Sequence, residues 1–388
     1  MSAQELYELT QQAARLPAGE AKIESLEGAV RLADTLGDLD SGFELRTRLM
    51  EAANEWGRPE VELVAFAWCL AQYDRDPEHF EDEYFGLMWS YKRVLGCLSD
   101  FPQMSRVRIE AAFADFRARL EADGEPLGTY FEFWLRHCIQ NGLLEQANEA
   151  YRAFKSFTRP ADLDCRACQL QRDLDYHVFV GDTAGAIQAA KPLLTARAPR
   201  CNRVPHATHA ALLLPLLREG QLEEAAEHHH NYRKIRSDEG FVRAVSLHLE
   251  FLGYLGDLGA GVSLLESHLG WAFRSPDLAS RFELLRSSLP LLARLRSSGE
   301  HTLKARFERS VPFWREDGEY PLEALEQQIG SYLYALAAQF DARNENTYFW
   351  SRLVLDASLI ERPAQVLPTL PEPAPKKRPG NAGKKGKG

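Results

Sequence analysis

Cysteine and histidine are the residues through which this 388-residue chain could do chemistry beyond ordinary acid and base work. Cys165 and Cys168 stand in C-x-x-C spacing at the expected start of a helix, and Cys201 follows one structural repeat later. Equivalent positions in stacked helix pairs lie side by side, so the three thiols are expected to converge. His206 or His209, three apart on one helical face, would complete a Cys₃His set of the kind zinc takes in tetrahedral geometry. The competing reading is three unrelated thiols in or near loops. A dithiol redox role is the weaker one, because the chain lacks the βαβ context such motifs need.

The run His228-His229-His230 is a second candidate. Consecutive helical side chains point about 100° apart, so the three rings cannot meet on one ion. A solvated helix face with one ring packed inward is expected. Catalytic motifs are missing from the sequence: it has no H-E-x-x-H, no nucleophile elbow and no dinucleotide fingerprint. Gly383-Lys384-Lys385-Gly386-Lys387 lacks the spacing of a phosphate loop. A non-enzymatic protein without a cofactor, structural zinc apart, is the expectation.

These residues must be positioned by helices. Ser2-Ala3-Gln4-Glu5 is a capping box opening the first, and apolar residues continue at helical spacing through Ile23, Leu26, Val30 and Leu32. Further helices are expected near 43–56, 61–73, 80–98 and from Pro102 to Glu121. Others are expected from Ser275-Pro276 to Arg296, over 321–340 and over 347–360, the last two capping the array. No stretch alternates with a period of two, so no strands are expected. Prolines at 192, 215 and 290 fall inside helical patterns, where each removes one hydrogen bond.

Turn glycines recur at Gly142, Gly181, Gly220 and Gly256, 36 to 39 residues apart. Five residues after each comes a small residue: Ala147, Ala186, Ala225 and Gly261. Gly37 and Gly42 repeat the relation. Pro160 and Pro199, also 39 apart, mark loops between pairs. A fixed period of this size is the sequence mark of helical repeat arrays.

The glycine turn, the starts Leu143-Leu144-Glu145-Gln146-Ala147 and Gln221-Leu222-Glu223-Glu224-Ala225, the aromatic Tyr151, and Phe131 and Trp134 resemble the tetratricopeptide repeat (TPR) family. The resemblance is good over about residues 125–275 and looser elsewhere, and the period here exceeds the family's roughly 34. The chain also resembles uncharacterised actinobacterial TPR-like proteins through Asp164-Cys165-Arg166-Ala167-Cys168 and Leu213-Leu214-Pro215-Leu216. The resemblance implies an all-α, right-handed superhelical solenoid of antiparallel helix pairs. It divides as irregular repeats over 1–124, TPR-like repeats over 125–298, capping helices over 299–360 and a Pro/Lys/Gly-rich tail over 361–388. It also implies a concave groove for a protein or peptide partner, lined by Arg136, Gln140, Gln171, Asp175, Arg218, Arg243, Glu250 and Tyr254.

Composition bounds the partners. Hydrophobic residues at 45% and charged residues at 26% suffice for a folded core. The net charge is −10, yet residues 373–388 carry Lys376, Lys377, Arg378, Lys384, Lys385 and Lys387 and no acid. The body is therefore acidic, and nucleic acid could be met only through the tail, whose composition favours disorder. No apolar run approaches the roughly 20 residues of a membrane span. The first residues lack a signal-peptide pattern, and six cysteines are too few for a disulfide scaffold, so a cytoplasmic protein with reduced thiols is expected. A non-enzymatic scaffold or regulator is the leading expectation. A nucleic-acid-associated regulator acting through the tail, or an unrecognised metal-dependent enzyme, is the alternative.

Overall fold

The computed structural model describes residues 2–157, 165–274 and 276–360, and they are almost entirely helical. The capping box forms: the Glu5 N–H donates to Ser2 Oγ and the Ser2 N–H to the Glu5 carboxylate, opening α1 (Ala3–Arg15). The apolar spacing does not run on as one helix. Leu16-Pro17 breaks it, because proline lacks an N–H and disfavours helix in the residue before it. It restarts as α2 (Glu20–Leu36), followed by α3 (Leu39–Trp56), α4 (Pro59–Arg75) and α5 (Tyr84–Cys97). A 3₁₀ turn at Leu98–Asp100 leads to α6 (Arg106–Ala122). That helix starts later than Pro102, since Ser105 accepts from the Arg108 N–H and caps it.

Next come α7 (Gly128–Asn141), α8 (Leu144–Ser156), α9 (Arg166–Phe179), α10 (Thr183–Leu194) and α11 (His206–Arg218). They are followed by α12 (Leu222–His229), the short α13 (Tyr232–Ile235), α14 (Val242–Leu255), α15 (Leu258–Arg274) and α16 (Leu278–Ser297). Asp277 caps α16 by accepting from the Ser280 N–H at 2.9 Å, whereas the expected cap, Ser275, lies outside the described residues. Pro160 of the loop reading and the whole tail from 361 lie outside them too. Pro192, Pro215 and Pro290 lie inside α10, α11 and α16, as the pattern indicated.

The turn glycines do what their spacing required. Gly142, Gly181, Gly220 and Gly256 have φ of +70°, +75°, +71° and +85°, a left-handed conformation that only glycine enters without strain. The small residues five places on are buried where helices cross. At Gly261 an added Cβ would sit 2.6 Å from Leu291. Each glycine turn joins two helices that pack together: α7 with α8, α9 with α10, α11 with α12, α14 with α15. The first helices of these pairs also pack in succession, α7 on α9, α9 on α11, α11 on α14 and α14 on α16.

The expectation of no strands is corrected. β1 (Thr302–Lys304) pairs antiparallel with β2 (Glu319–Pro321), in the register Thr302 with Pro321, Leu303 with Tyr320 and Lys304 with Glu319. Strands of three residues are too short to display an alternation. They form because Leu303 and Tyr320 turn inward together, with the Phe307 ring 4.7 Å from that of Tyr320.

The ribbon leads into α17 (Leu322–Asn344) and α18 (Tyr348–Ile360). These two contact distant parts of the chain. Arg343 donates to the carbonyls of Ser99 and Phe101 at 3.2 and 3.1 Å, and Asn346 to that of Asn141 at 2.8 Å. The C-terminal helices thus reach back to the end of α5 and the end of α7. One large apolar cluster spans α1 to α6 and another α9 to α18, with smaller ones between. Among the described residues no helix is long and apolar enough to cross a membrane.

Candidate functional site: a thiol cluster, paired histidines and buried ion pairs

Three elements bring the thiols together. Cys165 is the N-cap residue of α9, Cys168 lies on its first turn, and Cys201 sits in the turn before α11. The Cys201 N–H donates to the Val204 carbonyl at 3.2 Å, which closes that turn. All three sulfurs lie within 4.8 Å of one another, and Sγ of Cys168 and Cys201 are 3.8 Å apart. Buried Ala167, Leu193 and Val204 back the cluster. The thiols themselves are half-buried and free of disulfides. The thiol contact with Cys168, in which either sulfur can donate, and the N–H groups of Val204 and Arg203 favour the Cys201 anion against burial and draw Cys201 below the usual thiol range. The same hydrogen bond, with burial, pushes Cys168 upward.

The histidines proposed as fourth ligands sit elsewhere. His206 Nδ1 meets the Asn231 side-chain amide at 3.0 to 3.2 Å, and its ring stands edge-on to Phe241. His209 Nδ1 faces His228 Nδ1 at 2.7 Å. The convergent group is Cys165, Cys168 and Cys201.

The triplet is not a solvated face with one ring inward. Two of its rings pair with histidines on neighbouring helices: His228 with His209, and His229 with His248 at 3.1 Å. Burial lowers the pKa of His209 and His229 to about 4 each. His248, fully buried on α14, is held well below the usual histidine value by burial and by His229, His209 and His228. A neutral ring can donate from one nitrogen and accept at the other, whereas a charged ring only donates, so each pair keeps at least one member uncharged. Sequence reasoning missed His248. The available signal was a shared spacing, since both pairs are 19 residues apart.

The eight residues assigned to a groove fall into distinct environments. Glu250 is 3% exposed and receives Arg286 at 2.8 Å, so it cannot meet a partner. Arg286 also binds Asp356 at 2.8 Å, and the Tyr254 hydroxyl donates to Asp356 at 3.5 Å. Arg352 forks onto Glu283 with two bonds of 2.7 Å. Burial opposes the Glu283 anion, yet Arg352 and Arg286 hold its pKa down to about 2. Arg243 binds Asp100 and donates to Ser280 at 3.0 Å, and Gln140 reaches Asp100 at 3.5 Å. Gln171 accepts from Thr208 at 2.6 Å and donates to Asp175, which also receives Arg172. Arg218 is exposed.

Arg136 differs from the rest. It is half-buried on α7, and burial together with the like charges of Arg172 and Arg203 lowers its pKa to about 10, against the pull of Asp100. Comparison with protein-family models and with curated proteins finds no match.

Proposed function

We propose that the chain is a TPR-like protein whose antiparallel helix pairs form a right-handed solenoid, and that it serves as a non-enzymatic scaffold or regulator binding a protein or peptide partner. Support for the solenoid comes from the left-handed glycine turns at a 36-to-39-residue interval and from the succession α7, α9, α11, α14, α16. Solenoids present extended inner surfaces that suit such binding, an argument from architecture.

The observation that carries the binding reading is the charge at Arg136. Arg136 is half-buried, and burial first, with the like charges of Arg172 and Arg203 beside it, disfavours its guanidinium. A carboxylate joining it would offset both, held by two hydrogen bonds to the planar fork. The partner on this reading presents an acidic side chain or terminus to Arg136, with Arg218, exposed at the end of α11, as a second cationic contact. Glu250, Tyr254 and Arg243 keep the inner face in shape through their internal bonds.

The test is affinity capture from the source cells with wild type and with Arg136→Gln/Arg218→Gln, each captured protein then purified and titrated by calorimetry. Losing a charge-assisted pair costs about 1.5–3 kcal/mol, roughly a 10- to 100-fold weakening. A captured protein that binds wild type and the double variant equally, at low and at high salt, contradicts the assignment.

A further inference from the structure

We propose that Cys165, Cys168 and Cys201 form a binding site for a thiophilic divalent metal ion, zinc in the cell, and that the ion fastens one helix pair to the next. This site is independent of the partner-binding reading.

The geometry comes first. A zinc ion holds thiolates at about 2.3 Å in tetrahedral directions, which sets neighbouring sulfurs about 3.8 Å apart. Cys168 and Cys201 stand 3.8 Å apart, and the third sulfur lies within 4.8 Å of both. A disulfide requires about 2.05 Å. The spacing therefore matches a shared ion and needs only a small inward shift of one side chain.

The placement gives the ion work to do. Two ligands belong to the first turn of α9 and the third to the turn before α11, so the bond spans from one pair to the next. The apolar residues buried at that corner, among those described, are Ala167, Leu193 and Val204. A corner this poor in apolar burial gains most from a staple. On binding, the thiols still protonated release their protons to solvent and three thiolate–metal bonds form. Nothing is oxidised or reduced.

The chemistry around the sulfurs also suits a trithiolate. Three thiolates around a divalent ion leave one negative charge. Arg166 follows Cys165 directly, and Arg200 and Arg203 flank Cys201. The backbone N–H groups of Arg203 and Val204 stand near the Cys201 sulfur, where they offset part of that charge.

The test uses the full chain purified without a polyhistidine tag, under argon, with Zn(II) or Co(II) added alone. One equivalent of metal per chain is expected by elemental analysis, with a near-ultraviolet sulfur-to-cobalt charge-transfer band in the Co(II) form. Cys168→Ser and Cys201→Ser should each lower retained metal at least tenfold, while His230→Gln leaves it unchanged. Where a serine variant fails to fold, alkylation of the wild type decides. Zinc should shield Cys165, Cys168 and Cys201 from iodoacetamide, as read by peptide mass spectrometry. The site is overturned by metal retained in both serine variants, by no shielding at saturating zinc, or by a Cys168–Cys201 disulfide in the anaerobic protein.

Discussion

The interior between α14 and α18 is crowded with rings beside its buried ion pairs, whereas the corner at the start of α9 is thinly filled and lined with sulfur. In the first, Phe251, Phe282 and Phe340 are wholly buried, and Phe349 stacks 4.5 Å from Phe340 and stands edge-on 5.0 Å from Phe282. In the second, Ala167, Leu193 and Val204 are the buried apolar residues described, with half-buried Cys165, Leu170 and Cys201 against them. The contrast teaches how one chain stabilises successive helix pairs by different means. Where large side chains interdigitate, burial holds the pairs together and no ligand is needed. Where side chains are small, a few directional bonds do more than area can.

The largest effect expected from this contrast is at Phe282. Phe282→Ala removes a fully buried ring that also lies under the Arg352 guanidinium, and should cost about 3–5 kcal/mol. Urea unfolding with and without zinc checks it, and the loss should be the same in both. Zinc itself comes next. At a free concentration one hundred times its dissociation constant, zinc should add about 2.7 kcal/mol. The gain should vanish in Cys201→Ser, and an equal gain in that variant would put the ion elsewhere.

Acid should act through the paired histidines. Their native pKa values, near 4 for His209 and His229, lie below the ordinary value of 6.5. The unfolded chain therefore binds more protons between those limits, and stability is full above pH 6.5 and falls as pH drops toward 4. Each ring should contribute on the order of 1 kcal/mol. Thermal unfolding followed from pH 7 to pH 4.5 tests this, and replacing both His209 and His228 by Gln should flatten the slope. A profile that rises toward acid would contradict the sign. The smallest effect is expected at the turns. Gly181→Ala and Gly220→Ala meet no atoms within 4 Å, so each should cost only the left-handed penalty of about 1 kcal/mol. Gly142→Ala should cost more, because its new methyl collides with the Tyr348 ring.

The periodic features were legible because physics leaves them few alternatives. A left-handed turn asks for glycine, and a close helix crossing asks for a small residue, so Gly142 and Ala147 announce themselves by type. The meeting of Cys165, Cys168 and Cys201 followed from the same period. The paired histidines did not, because a ring on a helix looks the same whether water or another ring faces it. Gln140, Arg243 and Glu250 were hidden for the same reason: their composition fits an open groove as well as a buried ion network. The ribbon of Leu303 and Tyr320 left too short a trace to alternate, and the reach of Arg343 back to Ser99 joins residues 244 apart.

Hydrogen exchange of the full chain, measured with and without one equivalent of zinc, tests the central claim most directly. The amides of 165–170 and 193–206 should slow markedly when zinc is present, while those of α14 and α16 keep their rates. Unchanged exchange at 165–170 and 193–206, or a uniform slowing along the whole chain, would contradict a metal staple at that corner.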